Sequence, residues 1–155
     1  MSAKLKKRNQ TEASRAMSFE DQIELFAMGI QSCSCRLDRP KYIRMRNRKD
    51  DSEERQVSAK ARLERHGEDH FDGSVTYELL VRDKKGGADP LKLECTFEAH
   101  FHGPKSIAPD EANRFLQTYF TIISWPYFRQ FVSDMTARMS IAPLALPLLP
   151  SGNDD

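Results

Sequence analysis

Cysteine is scarce in this chain and odd in number: three in 155 residues, at Cys33, Cys35 and Cys95. An odd, scattered set does not make the disulfide framework of a small secreted domain, and no Cys and His spacing matches a structural zinc module. A reducing compartment is expected, and with it a cytoplasmic location. Long apolar runs are also lacking. The longest, Ile141 to Leu149, is interrupted by Pro143 and Pro147 and falls well short of the ~20 residues that span a bilayer. The N-terminus is basic, but polar residues follow where a secretory leader would carry its apolar core, so no cleavable export signal is read there. A glycine-rich phosphate loop, a nucleophile elbow and a metalloprotease signature are all missing. The expectation is a protein that is not an enzyme and holds no cofactor.

What is present reads as one domain. A chain of this length can bury about two thirds of its unfolded surface. Residues 1–18 are polar, aperiodic and basic, and are expected to form a flexible arm; residues 19–150 form the folded domain and 151–155 a short polar tail. Four stretches read as strands. Ile23 to Ile30 is apolar on both alternating faces, which suits a strand covered on both sides or one at an interface. Val57 to Glu64 and Val75 to Arg82 alternate. In the fourth, Leu91, Leu93, Cys95, Phe97, Ala99 and Phe101 fall on one face, opposite Lys92, Glu94, Thr96, Glu98 and His100. Links at Gly67–Gly73 and Lys84–Pro90 are short enough for antiparallel hairpins, whereas Asp38–Arg55 is long enough to cross an edge of the sheet or hang out as a loop.

Two helices are expected after the strands. Pro109-Asp110-Glu111 opens the first, with Phe115, Tyr119 and Ile122 at helical spacing; a break at Ser124 then precedes a second, with Pro126 in its first turn and a stripe of Phe128, Phe131, Val132, Met135 and Met139. Strands segregated from helices make an α+β fold: a four-stranded antiparallel sheet followed by two helices. These helices carry more aromatic surface than one small sheet can cover. The surplus points to self-association, a polypeptide-binding groove, or both.

The order Trp125-Pro126-Tyr127-Phe128-Arg129, then Met135 and Arg138, then Leu144-Ala145-Leu146, resembles the C-terminal signature of the SecB family of protein-export chaperones, and Leu93 to Phe97 resembles the family's last strand. The resemblance covers roughly Phe19 to Pro150. It implies a homotetramer, a dimer of dimers, that binds unfolded polypeptides without ATP and keeps preproteins competent for translocation by SecA. By the same resemblance the client-binding residues are Trp125, Tyr127, Phe128, Leu144 and Leu146, with Tyr42 and Ile43 from the crossover. The oligomer contacts are Cys95, Phe97, Ala99, Phe115 and Tyr119. The family's acidic SecA-docking face corresponds to Glu94 and Thr96, the second of which carries no charge. The family's Arg-Gly after the long helix is Arg138-Met139 here. Some SecB-like proteins instead protect an antitoxin, and the same grooves would serve that client.

Two readings from other classes remain. Arg39, Lys41, Arg44, Arg46, Arg48 and Lys49, interleaved with Tyr42, could clamp a nucleic-acid backbone, although Asp50, Asp51, Glu53 and Glu54 follow at once and favour a solvated loop. Glu98, His100 and His102 share one face of a strand and could hold a metal, but no fourth ligand is evident, so a solvated strand end is the favoured reading.

Overall fold

The computed structural model describes residues 18–49 and 51–148; the expected arm, apart from Ser18, and the polar tail lie outside the described residues. Four antiparallel strands, β1 (Glu24–Leu37), β2 (Glu53–His66), β3 (His70–Asp83) and β4 (Leu91–His102), form one sheet in the order β1-β4-β3-β2. Consecutive hairpins join β2 to β3 and β3 to β4. The β3–β4 turn uses Gly86 and Gly87 at φ of 96° and 94°, a backbone region that a side chain disfavours. The chain crosses over from β1 to β2 at the opposite edge, and β1 lies against β4, with Leu37 paired to Leu91 and Glu24 to His102 and bulges between Leu25 and Ala27 and between Ile30 and Ser32.

The crossover carries a helix that its basic composition conceals, α1 (Arg39–Arg46). The Asp38 side chain accepts the Lys41 N–H at 3.2 Å, Pro40 occupies the first turn, and Arg44 and Arg46 stand at the negative end. Tyr42 and Met45 are buried beneath it. Much of the basic run is engaged within the fold. Lys41 donates to the Ala88 carbonyl, Arg46 pairs with Glu53, and Arg48 forks onto Asp83 at 2.9 and 3.0 Å. Arg39, Arg44 and Lys49 are exposed.

Glu53 also accepts from Arg55 at 2.6 Å. Burial pushes its carboxyl up, but the hydrogen bonds from Arg55 and Arg46 outweigh that and hold it below the usual carboxylate range. A depressed native pKa means that this network stabilises the fold above the unfolded-state value and that the contribution is lost as pH falls through the native one. Glu53→Gln is therefore expected to flatten the acid limb of the stability profile, measured by urea denaturation between neutral and acid pH; an unchanged acid limb would show that the network contributes nothing.

The inner face of the sheet follows the alternation of β3 and β4: Phe71, Val75, Tyr77, Leu79 and Val81 beside Leu91, Leu93, Cys95, Phe97, Ala99 and Phe101, all buried. One helical run covers it. α2 (Pro109–Phe115) starts with the Ala108 N–H donating to the Glu111 carboxylate at 3.2 Å; a π-helical turn (Leu116–Phe120) follows, and α3 (Thr121–Arg138) continues without a gap. The two expected helices are thus a single run, and no break occurs at Ser124. That residue is buried inside α3, where its hydroxyl donates to the Phe120 carbonyl at 2.7 Å and meets Tyr77 Oη at 2.9 Å. Tyr77 also donates to the Thr121 carbonyl at 2.7 Å, and burial pushes its phenol up to about 12. Pro126 lies within α3 rather than in a first turn. The N–H it lacks would have gone to Ile122, and both residues are exposed, so the loss falls on the solvent side. Gly73 lets Leu116 press onto β3: a Cβ there would stand 2.2 Å from the Leu116 Cδ2.

Candidate functional site

After α3 the chain reverses at Ser140, whose φ of 55° fills the left-handed position that a glycine would ordinarily take. Residues 141–147 then run back along the helix as an extended strap. Leu144 N–H donates to Thr136 Oγ1 at 3.2 Å, and Thr136 in turn donates to the Val132 carbonyl at 2.8 Å. Arg129 Nε holds the Leu146 carbonyl at 3.1 Å and Trp125 Nε1 the Pro147 carbonyl at 3.0 Å, while Arg55 Nη1 reaches the Ala145 carbonyl at 3.5 Å. Side chains read backbone groups here, and Ile141, Leu144 and Leu146 turn inward. Pro143 and Pro147 have no N–H to leave unsatisfied.

Trp125, Phe128, Leu144 and Leu146 are brought together, but in a buried cluster with the strap laid over it. Phe128 stacks on Tyr77 with centroids 4.6 Å apart, and Trp125 lies 5.7 Å from the same ring. Tyr127 points the other way and is 56% exposed. Tyr42 is buried under α1, its hydroxyl without a hydrogen-bond partner among the described residues, while Ile43 is exposed. The chain Arg46–Glu53–Arg55 connects α1 to the strap. A recess of about 230 Å³ lies between strap and helix, lined by Pro126, Arg129, Ser133 and Leu144 among others.

A larger cleft opens on the other side of α3, against β1. It has a volume of about 460 Å³ and is lined by Met28, Ile30, Cys33, Phe97, Tyr127 and Met135 among others. Sequence reasoning did not place it, although the double-faced apolar pattern of β1 was its signal. β1 is an edge strand, and Leu25, Phe26 and Ile30 stand open on it, Phe26 at 72% and Ile30 at 54% exposure. Of the expected oligomer contacts, Cys95, Phe97, Ala99 and Phe115 are buried within the single chain; Tyr119 is exposed and stacks on Phe115 at 5.3 Å. Tyr119, Ile122 and Tyr127 extend the open apolar surface along the helical run.

The outer face of the sheet is polar. Glu94 lies beside Glu78, which pairs with Lys92 at 2.8 Å, and Thr96 shares a 2.8 Å hydroxyl contact with Thr76. Glu98, His100 and His102 do share this face. His100 Nδ1 is bonded to Asp72 at 2.6 Å and His102 packs edge-on against Phe26, and among the described residues no three His, Cys, Asp or Glu side chains are arranged to hold a metal. No helix among the described residues is long and apolar enough to cross a membrane.

No family model and no curated protein matches the sequence. Solved structures do match the fold. The Mycobacterium tuberculosis SecB-like chaperone Rv1957, in complex with a ChAD peptide from the HigA1 antitoxin Rv1956, aligns at a TM-score of 0.66 and 16% identity, over 83% of this chain and 91% of its own. A Streptococcus agalactiae protein of unknown function aligns at a TM-score of 0.49 and 4% identity, over 81% of this chain and 97% of its own. Four antiparallel strands, a crossover from the first strand to the second and one long helical run across a single face give this chain a SecB-like α+β fold.

Proposed function

We propose that this protein is an ATP-independent chaperone that holds unfolded polypeptides. The observation that carries the reading is the open apolar cleft between α3 and β1, which Tyr127, Phe131 and Met135 line from the helix side; the strap recess on the other flank is more polar, with Arg129, Gln130 and Ser133 in its wall. Flexible methionine and flat aromatic side chains tolerate many client sequences, and contiguous exposed apolar surface marks an interaction site. Client contacts would come from Tyr127 and Ile43 as they stand, and from Trp125, Phe128, Leu144, Leu146 and Tyr42 where the strap or α1 yields.

Assembly into a homotetramer, a dimer of dimers, would cover part of this surface. The unpaired edge of β1, with Leu25, Phe26 and Ile30, and the ring of Tyr119 are the parts that a second copy would bury. Two client classes suit the same grooves. In the export reading the clients are preproteins passed to SecA, whose docking would use the outer face at Glu94 and Thr96. The pairing of Glu78 with Lys92 and the neutral Thr96 weaken that electrostatic match. In the second reading the client is an antitoxin, and it is favoured by the antitoxin peptide bound to the structurally similar chaperone.

The test is dilution of a denatured, aggregation-prone protein into nucleotide-free buffer with and without this chain, with particle mass read by in-line multi-angle scattering. Aggregation is expected to fall by more than half at one client per particle, and Tyr127→Asp to weaken that protection with no loss of fold. Unchanged light scattering in the presence of a folded monomer would overturn the reading.

A further inference from the structure

All three cysteines lie on one side of two neighbouring strands, and the fold gives each a different setting. Cys33 of β1 and Cys95 of β4 are direct cross-strand partners. Both face the helix-covered side: Cys95 belongs to the buried row of β4, and Cys33 opens into the cleft whose floor includes Phe97. Antiparallel partners stand about 4.5–5.5 Å apart at Cα, inside the window of about 4.4–6.8 Å that a disulfide spans. Burial first, and then the charge of Cys33, push the Cys95 thiol up to about 12. Cys35 is set apart. It pairs across the sheet with Leu93, lies about 7 Å along the strand from Cys33, and holds its Sγ 3.1 Å from the Met139 sulfur.

We infer that Cys33 and Cys95 form a thiol–disulfide site in which the exposed Cys33 reacts with a small-molecule disulfide and the buried Cys95 resolves the adduct. With oxidised glutathione the Cys33 thiolate attacks one sulfur, forms a mixed disulfide and expels one glutathione thiolate. Cys95, once deprotonated, attacks Cys33 Sγ, closes the protein disulfide and expels the second. The protein loses two thiol protons and two electrons, and the reagent gains them as two thiols. The high pKa of the resolving thiol makes the second step slow and quicker at alkaline pH. The bond staples edge strand β1 to β4 beside the Ile30/Ser32 bulge and removes the only thiol lining the cleft among the described residues.

The full chain, refolded from denaturant in a glutathione redox buffer so that assembly does not limit access, is digested without reduction and mapped by mass spectrometry. The expected product links the Cys33 and Cys95 peptides within one chain, two hydrogens lighter than the reduced form. It should melt about 5–10 °C higher, a gain that reductant reverses. Cys35→Ser should behave as wild type, while Cys95→Ala should stop at a glutathione adduct on Cys33. A dominant Cys33–Cys35 link, glutathione adducts alone in the wild type, or the same gain in Cys33→Ser would each overturn the assignment.

Discussion

Replacing Trp125 with alanine is expected to destabilise the chain by about 3–5 kcal/mol and to free the C-terminal strap. The indole is 2% exposed, lies among Tyr77 and Phe128, and donates its N–H to the Pro147 carbonyl. Truncation removes the largest buried side chain and leaves a cavity under the strap, whose outer end then has no donor. Trp125→Phe retains much of the volume and loses the N–H, so its expected cost is about 1–2 kcal/mol. Urea denaturation followed by circular dichroism measures both, since Trp125 is the chain's one tryptophan and fluorescence vanishes with it. Limited proteolysis of Trp125→Ala should cut first within residues 140–148. A loss below about 1 kcal/mol would mean that the strap does not depend on this anchor.

The second large effect is expected at Phe97. The ring, one of the expected oligomer contacts, is 3% exposed and sits 6.1 Å from Tyr77 on the inner face. Its cross-strand neighbours are Val75 and Ile30, so an aspartate would set a carboxylate between apolar side chains. Phe97→Asp is expected to cost more than about 4 kcal/mol and to break the fold before any assembly. Ile30→Asp separates the two effects. It lies beside Phe97 but on the open edge strand and is exposed, so it should leave the melting temperature of the dilute chain within a few degrees while lowering the particle mass. Equal damage from both substitutions would place Ile30 in the core, and an unchanged mass in Ile30→Asp would move the interface away from β1.

These residues also show where sequence reasoning could and could not reach. The inner row of β4 was legible because one face meets the core and the other meets water, so period two survives in the composition. β1 obeys no such rule: it is an edge strand whose inner face is only partly covered, and its apolar residues look the same whether they meet a helix, a cleft or another chain. α1 was missed because its stabilising elements are local, the Asp38 cap and Pro40, and the apolar spacing offers only Tyr42 and Met45 to bury. Ser124 and Pro126 imitate a helix start. In the fold the serine hydroxyl is satisfied inside the helix by Phe120 and Tyr77, and the proline faces solvent. The aromatic and proline-rich C-terminus was legible as a segment that packs, but its reversal onto α3 depends on Ser140 adopting a left-handed backbone, which serine does not advertise. The pairing of Cys33 with Cys95 depends on β1 lying beside β4, with two other strands between them along the chain, and no local pattern carries that.

The π-helical turn at Leu116–Phe120 allows one helix to serve two parts of the sheet. Upstream of it Phe115 is aligned with Phe71 and Phe101, and downstream Trp125 and Phe128 are aligned with Tyr77. The turn acts as a phase adjuster between these two alignments. Wound as ordinary α-helix with all its residues kept, it would rotate everything after it by about 100°, so that Trp125 and Phe128 would swing off Tyr77 while Phe115 kept its place; deleting one residue would instead remove the turn and keep both alignments.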